Sequence, residues 1–286
     1  VGNWNPRRFE YIFKIKKGKL KMSDITLVSM FYDIGRENWN LYPRKVQEYI
    51  SAFEKFLDYD YTMIVFIDDK YIDKLQEKVI GSKITLIPIN EEWVMSNLWS
   101  WSRLDREKEI MSSSKYQSLV QHRIDKNYPE NVNPLYTILT HSKIDVVNYA
   151  IDNNLIDTDY VAWIDFGYFY KKTSAEFLPT GPLDLNKFDL NKVNICLINS
   201  ITDRDQDVIY SLQYAPEKIG AYFFMASKEK MQEFQKLCHK WLLIFQQNEI
   251  ADDEQGVWLQ CYFDQPNLFA DHVFYKWHQA LREFSK

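Results

Sequence analysis

An aspartate at the end of an apolar strand is poorly solvated unless it is paired, protonated or bound to a metal. Asp165 stands in that position, directly after the run Tyr160-Val-Ala-Trp-Ile164. Phe166 and Gly167 follow it, so a plain turn with Gly167 at positive φ is the competing reading. Two earlier apolar runs also end in acids: Tyr32-Asp33-Ile-Gly35-Arg36 follows Ile25–Phe31, and Asp68-Asp69 follows Met63–Ile67. Further on, Asp252-Asp253-Glu254-Gln255 precedes the apolar Val257-Trp258-Leu259. Acids there either cap a helix, worth about 0.3–1 kcal/mol against its dipole, or take a proton from a substrate hydroxyl. Arg36 and Lys143 offer cations to phosphate oxygens, and Tyr32 offers a ring face to a nucleobase. These are parts for holding a phosphate-bearing ligand and activating a hydroxyl beside it.

Such parts need a frame, and the chain alternates strand and helix signals from Ser23 onward. Ile25–Phe31, Met63–Ile67 and Ile84–Ile89 are nearly continuous apolar runs, as expected for strands covered on both faces. Between the first two, Val46, Tyr49, Ile50, Phe53, Phe56 and Leu57 recur at helical spacing, and a short helix over about 71–79 precedes the third. This β-α-β-α-β pattern predicts an α/β fold with a mostly parallel central sheet flanked by helices. Ligands then bind beyond the carboxyl ends of the strands, where Asp33, Asp68 and Asp165 fall. Downstream, the pattern predicts helices over 104–124, 135–153, 229–246, 253–263 and 274–284, and strands over 160–164, 193–198 and 220–226. The sequence divides into a basic, aromatic arm over 1–22 and one α/β domain over 23–286. The arm, with Arg7, Arg8 and several lysines among aromatic residues, has the chemistry to touch anionic lipid or glycan, or simply to be a solvated edge.

Composition excludes several classes. Only eight glycines in 286 residues argue against a glycine-rich phosphate loop. A net charge of −5 disfavours binding to a nucleic-acid backbone. The three cysteines, Cys196, Cys238 and Cys261, show neither zinc spacing nor a disulfide framework, which fits a reducing, cytoplasmic compartment. No secretory signal is visible, and no apolar run approaches the roughly 18–20 residues that span a bilayer. Aromatic residues reach 16%, which suits either a cleft with stacking platforms or an aromatic-rich core.

The succession Asn133-Pro-Leu-Tyr136, Thr140-His-Ser-Lys143, Trp163-Ile-Asp165-Phe-Gly167-Tyr168 and Asp252-Asp-Glu-Gln255 resembles the HtrL/YibB family, over about Asp24 to Leu281. That family is associated with cell-surface polysaccharide loci, and its members look like glycosyltransferases of the single-domain nucleotide-sugar fold called GT-A. The resemblance implies transfer of a hexose from a nucleotide-diphosphate sugar, a UDP-sugar first among candidates, to a hydroxyl of a glycan acceptor. It places Asp165 at the acidic metal-binding motif, with Gly167 in the same donor-binding turn and Tyr32, Arg36 and Lys143 around the donor. The usual motif is Asp-x-Asp and this chain reads Asp-Phe-Gly, so Mn²⁺ or Mg²⁺ would have one carboxylate. By the same resemblance His272 completes the metal site, with His278 as the other histidine at that end. Asp253 or Glu254 would be the base of an inverting transfer. His141 stands beside Lys143, while Arg123, Glu130 and Asn133-Pro134 form a polar lead-in for acceptor or ribose. The cysteine usage and the basic arm together lead to the expectation of a cytoplasmic protein touching the inner face of the membrane. A non-catalytic glycan- or protein-binding module on the same scaffold is the alternative.

Overall fold

A computed structural model describes residues 24–123, 126–170, 177–214 and 217–286. The basic arm, and the start of the loop after Tyr170, lie outside the described residues. Seven strands form one sheet: β1 (Ile25–Phe31), β2 (Met63–Asp68), β3 (Ile84–Ile89), β4 (Tyr160–Ile164), β5 (Val193–Leu197), β6 (Ile219–Ser227) and β7 (Phe269–Val273). Their order is β3-β2-β1-β4-β6-β5-β7. Every neighbouring pair is parallel except those of β6, which runs antiparallel to both β4 and β5. The helices are α1 (Val46–Glu54), α2 (Ile72–Gln76), α3 (Glu91–Asn97), α4 (Leu104–Ser112), α5 (Ser114–Val120), α6 (Pro129–Val132), α7 (Pro134–Asp152), α8 (Val208–Tyr214), α9 (Lys228–Gln247), α10 (Glu254–Asp264) and α11 (Ala280–Glu283). The expected α/β architecture is present, and its mostly parallel sheet flanked by helices is consistent with a GT-A-like fold.

The strands are apolar on both faces because both are covered. Val28, Trp163, Ile195 and Phe224 face one layer with residues of α7, α9 and α10. Leu27, Ala162, Met225 and Phe223 face the other, with α1 and the C-terminal segment. Adjacent residues of one strand thus enter different cores, as strand alternation requires. Burying a side chain such as Phe224 or Phe53 contributes about 1.5–3 kcal/mol.

Two helical expectations need correction. The run 104–124 is broken at Ser113, whose extended backbone ends α4 and whose hydroxyl accepts the Tyr116 amide of α5 at 3.2 Å. A serine able to satisfy an orphan amide favours starting a new helix over continuing the old one. The expected helix over 274–284 is a single short turn, Ala280–Glu283, preceded by edge strand β7. After buried Phe269, strand β7 alternates half-buried Ala270 and His272 with exposed Asp271 and Val273, a pattern too short to stand out from the sequence.

Candidate functional site

Asp165 leaves the end of β4 on the same side as Trp163, toward α7 and α10. The Trp163 indole donates to Asp165 Oδ1 at 2.8 Å. From α7, Lys143 Nζ reaches Asp165 Oδ1 at 2.9 Å and Glu254 Oε1, at the start of α10, at 2.8 Å. Its third partner is the carbonyl of Ala221 on β6, at 3.0 Å. An ammonium has three protons, and each has an acceptor here. Burial by itself would lower the Lys143 pKa; the Asp165 and Glu254 carboxylates overrule it and hold the group above the ordinary lysine value. Exposure grades outward, from Glu254 at 3% and Lys143 at 12% to Asp165 at 34% of its side chain. The structure thus brings Lys143, Asp165 and Glu254 together. Among the described residues, Glu254 Oε2 is buried without a hydrogen bond.

The neighbouring acids do different work. Asp253 is the N-cap of α10: its Oδ1 accepts the Gln255 amide at 3.0 Å and its Oδ2 the Gln255 side chain at 3.0 Å. Burial, reinforced by Glu254, Asp252 and Glu130, pushes its pKa well above the usual aspartate range. Both Asp253 oxygens are taken by Gln255, whereas Glu254 Oε2 is without a hydrogen bond among the described residues. Asp252 Oδ1 takes Arg123 at 3.1 Å, and Arg123 also donates to Asn131. The Asp252 carbonyl meets His141 Nε2 at 3.0 Å; a carbonyl only accepts, so Nε2 carries the proton. Burial lowers the His141 pKa. His141 therefore supports the 252–254 segment, and Arg123 is an ion-pair partner rather than an open acceptor contact. Glu130 sits in the same acidic neighbourhood, where burial raises its pKa to about 7.

Arg36 lies beyond the carboxyl end of β1, the strand that pairs with β4. It donates from Nε to the Tyr42 carbonyl at 3.2 Å and from Nη1 to the Tyr49 hydroxyl at 3.2 Å. Its guanidinium stands 5.5 Å from the ring centres of both Trp39 and Tyr136. Burial, then Asp253, Glu254 and Glu130, raise the Tyr136 pKa, and Arg36 opposes them. Arg36, Tyr136 and the acids at the start of α10 therefore share one electrostatic neighbourhood. Gly167 does not sit at positive φ. What it supplies is space, since a Cβ there would lie 3.1 Å from the Tyr49 ring.

Tyr32 and His272 were also expected at the site. Tyr32 packs edge-on against Trp101 at 5.4 Å. Burial, with Glu91, Asp68, Asp69 and Asp33 around it, pushes its pKa up to about 12; its recorded partners are these, not Lys143 or Asp165. His272 is the larger correction. It lies on β7, three strands from β4 in the sheet order, or about 14 Å at normal strand spacing. Its Nε2 meets Asn194 Oδ1 at 2.9 Å and its ring packs against Phe284 at 4.8 Å. It cannot share a metal with Asp165. His278 instead packs edge-on against Tyr168 at 5.2 Å. Asp68 accepts the Lys70 and Asp33 amides, a turn-forming role.

Among the described residues, no group of three His, Cys, Asp or Glu side chains is placed to hold a metal ion. The Lys143 ammonium already faces Asp165 Oδ1.

Sequence reasoning missed Arg44, Tyr49, Tyr136 as a site residue, and Gly256. A Cβ at Gly256 would fall 2.0 Å from Asp252 Oδ2, so glycine is what lets Asp252 fold back against α10. An aspartate four residues before a glycine at a helix start was the available signal.

Residues 23–286 match the family described as "Bacterial protein of unknown function (HtrL_YibB)". The chain is also 29% identical over 273 residues to Protein HtrL of Escherichia coli (strain K12), covering 92% of this chain and 93% of that protein. The family match runs from the first strand to the last residue: this chain belongs to the HtrL/YibB family.

Proposed function

We propose that this protein is a glycosyltransferase, moving a hexose from a nucleotide-diphosphate sugar to a hydroxyl of a surface polysaccharide or oligosaccharide. The observation that carries the reading is the Lys143–Asp165–Glu254 cluster at the carboxyl end of β4, where open α/β sheets bind ligands. In an inverting transfer the acceptor oxygen attacks the anomeric carbon while its proton passes to Glu254. The bond from the anomeric carbon to the phosphate oxygen breaks, and its electron pair leaves with the diphosphate. Lys143 and Arg36 oppose the charge that develops there. A retaining transfer needs no such base. A UDP-sugar is the first donor to test. A Mn²⁺ or Mg²⁺ ion would have Asp165 as its protein carboxylate and enter with the phosphates, as Mg²⁺ commonly does. A cytoplasmic location at the inner membrane face goes with this reading; among the described residues no helix is long and apolar enough to cross a membrane.

The test is thermal unfolding against UDP-, GDP-, CDP- and CMP-sugars with and without Mn²⁺, followed by donor hydrolysis. One donor at ~100 times its dissociation constant adds about 2.7 kcal/mol of stability. Its hydrolysis is expected to disappear in Asp165→Asn and Glu254→Gln while both variants remain folded. Silence across the whole panel rules the reading out.

One observation favours a non-catalytic glycan-binding module instead: every Lys143 proton is already held by the protein. In that case oligosaccharides bind, nucleotide sugars do not, and Asp165→Asn changes neither result.

A further inference from the structure

We infer that Arg36 and Arg44 form a phosphate-binding pair built on the hydroxyl of Tyr49. Arg36 follows β1 and Arg44 precedes α1, and the Arg44 amide donates to the Arg36 carbonyl at 3.3 Å, closing the loop between them. Their Nη1 atoms then converge on one phenol oxygen, at 3.2 Å from Arg36 and 3.3 Å from Arg44. Two like charges held this close repel each other unless an anion lies between them. Among the described residues neither arginine has a carboxylate within ion-pair distance, although both are half-buried.

Aromatic faces hold them in place. Arg44 lies 4.1 Å from the Tyr170 ring centre and 5.0 Å from that of Tyr49; Arg36 lies over Trp39 and Tyr136. Stacking fixes a guanidinium without neutralising it and leaves its edge free for oxygen. The phenol oxygen of Tyr49 receives two N–H groups, so its own proton points outward as a third donor. Tyr49 also presses on Gly167, in the turn that follows Asp165. The pair therefore stands beside the turn that follows Asp165. Lys143, which the sequence offered to phosphate beside Arg36, is saturated; among the described residues these two are not.

The ligand chemistry is a phosphate or diphosphate. It comes from a nucleotide sugar or from a phosphorylated sugar acceptor; only the choice between these carriers rests on the proposed transfer reaction. Calorimetric titration with inorganic pyrophosphate, UDP and a hexose 1-phosphate tests it, on the wild type and on Arg36→Met/Arg44→Met, Arg44→Met and Arg44→Lys. The wild type is expected to bind pyrophosphate and the double variant to bind it at least roughly tenfold more weakly, since each lost charge-assisted hydrogen bond is worth ~1.5–3 kcal/mol. Arg44→Lys keeps the charge and loses less than Arg44→Met. Should the double variant fail to fold, that single-site ordering decides. UDP binding more tightly than hexose 1-phosphate identifies the nucleotide as carrier; the reverse order identifies a phosphorylated acceptor. The assignment is overturned if the wild type binds none of the three, or if removing both arginines leaves affinity unchanged. Phosphate binding that depends on the pair, without turnover of any nucleotide sugar, leaves this assignment standing and removes the transferase reading. Turnover with binding indifferent to the pair does the opposite.

Discussion

Lys143 and the Arg36/Arg44 pair lie on the same rim of the sheet, but their surroundings differ. The ammonium sits in a closed set of two carboxylates and one carbonyl, 12% exposed. The guanidinium groups meet a phenol, a carbonyl and ring faces, and no acid among the described residues. The first arrangement is complete without a ligand and holds β4, α7 and α10 together. The second has donors left over. A cation near a cleft is thus a ligand-binding group only to the extent that the protein leaves its charge unanswered.

The largest expected effect tests the closed half. Lys143→Met leaves Glu254 buried without its counter-ion, and breaking a buried pair by removing one partner costs about 3–5 kcal/mol. Urea denaturation checks this; a loss below ~1 kcal/mol would make Lys143 a surface-like cation and dissolve the contrast.

The acids sharpen it. Glu107 is fully buried, and among the described residues its recorded side-chain bond is from Gln246 at 2.7 Å. Burial, only partly offset by the hydrogen bond from Gln246, raises its pKa to about 7. The unfolded chain releases this proton near the ordinary glutamate pKa, the folded chain near neutrality. Glu107 is therefore most favourable below the ordinary value, and its contribution is lost as pH rises through about 7. Glu107→Gln should flatten the melting profile between these values and be more stable than wild type at pH ~8, by on the order of 2 kcal/mol. A variant less stable than wild type at that pH would show that the charged carboxylate is satisfied.

The smallest effect concerns Gly256→Ala. Alanine is the better helix former by about 1 kcal/mol, but its Cβ would overlap Asp252 Oδ2 at 2.0 Å. Displacing that carboxylate from Arg123 should leave a net loss of about 1 kcal/mol. Affinity for pyrophosphate should be unchanged, because among the described residues neither Arg36 nor Arg44 bonds Asp252. A stabilised variant would show that Asp252 moves aside freely.

How much of this was legible depended on the range of the signal. The strands over 25–31, 63–67 and 160–164 were readable because burial on both faces leaves continuous apolar runs, and Asp165 was readable because it interrupts one. The pairing of Lys143 with Glu254 crosses more than a hundred residues, and no local pattern encodes it. His272 failed for the same reason: a histidine after an aspartate says nothing about which strand separates it from β4. Asp253 looked catalytic and caps α10, since one residue type serves both purposes at a helix start. Arg44 and Tyr49 were passed over because their spacing is also that of an ordinary helix entry.

The reversed direction of β6 has an electrical consequence. Because Ser227 pairs with Tyr160, helix α9 begins at the opposite rim of the sheet, where the Lys228 amide donates to Asp159. The positive pole of this 20-residue helix therefore points away from Asp165, and what β6 brings to the ligand rim is the carbonyls of Ala221 and Tyr222. The attraction an incoming anion feels there owes nothing to this helix, and sodium chloride should weaken the share that the arginine side chains supply.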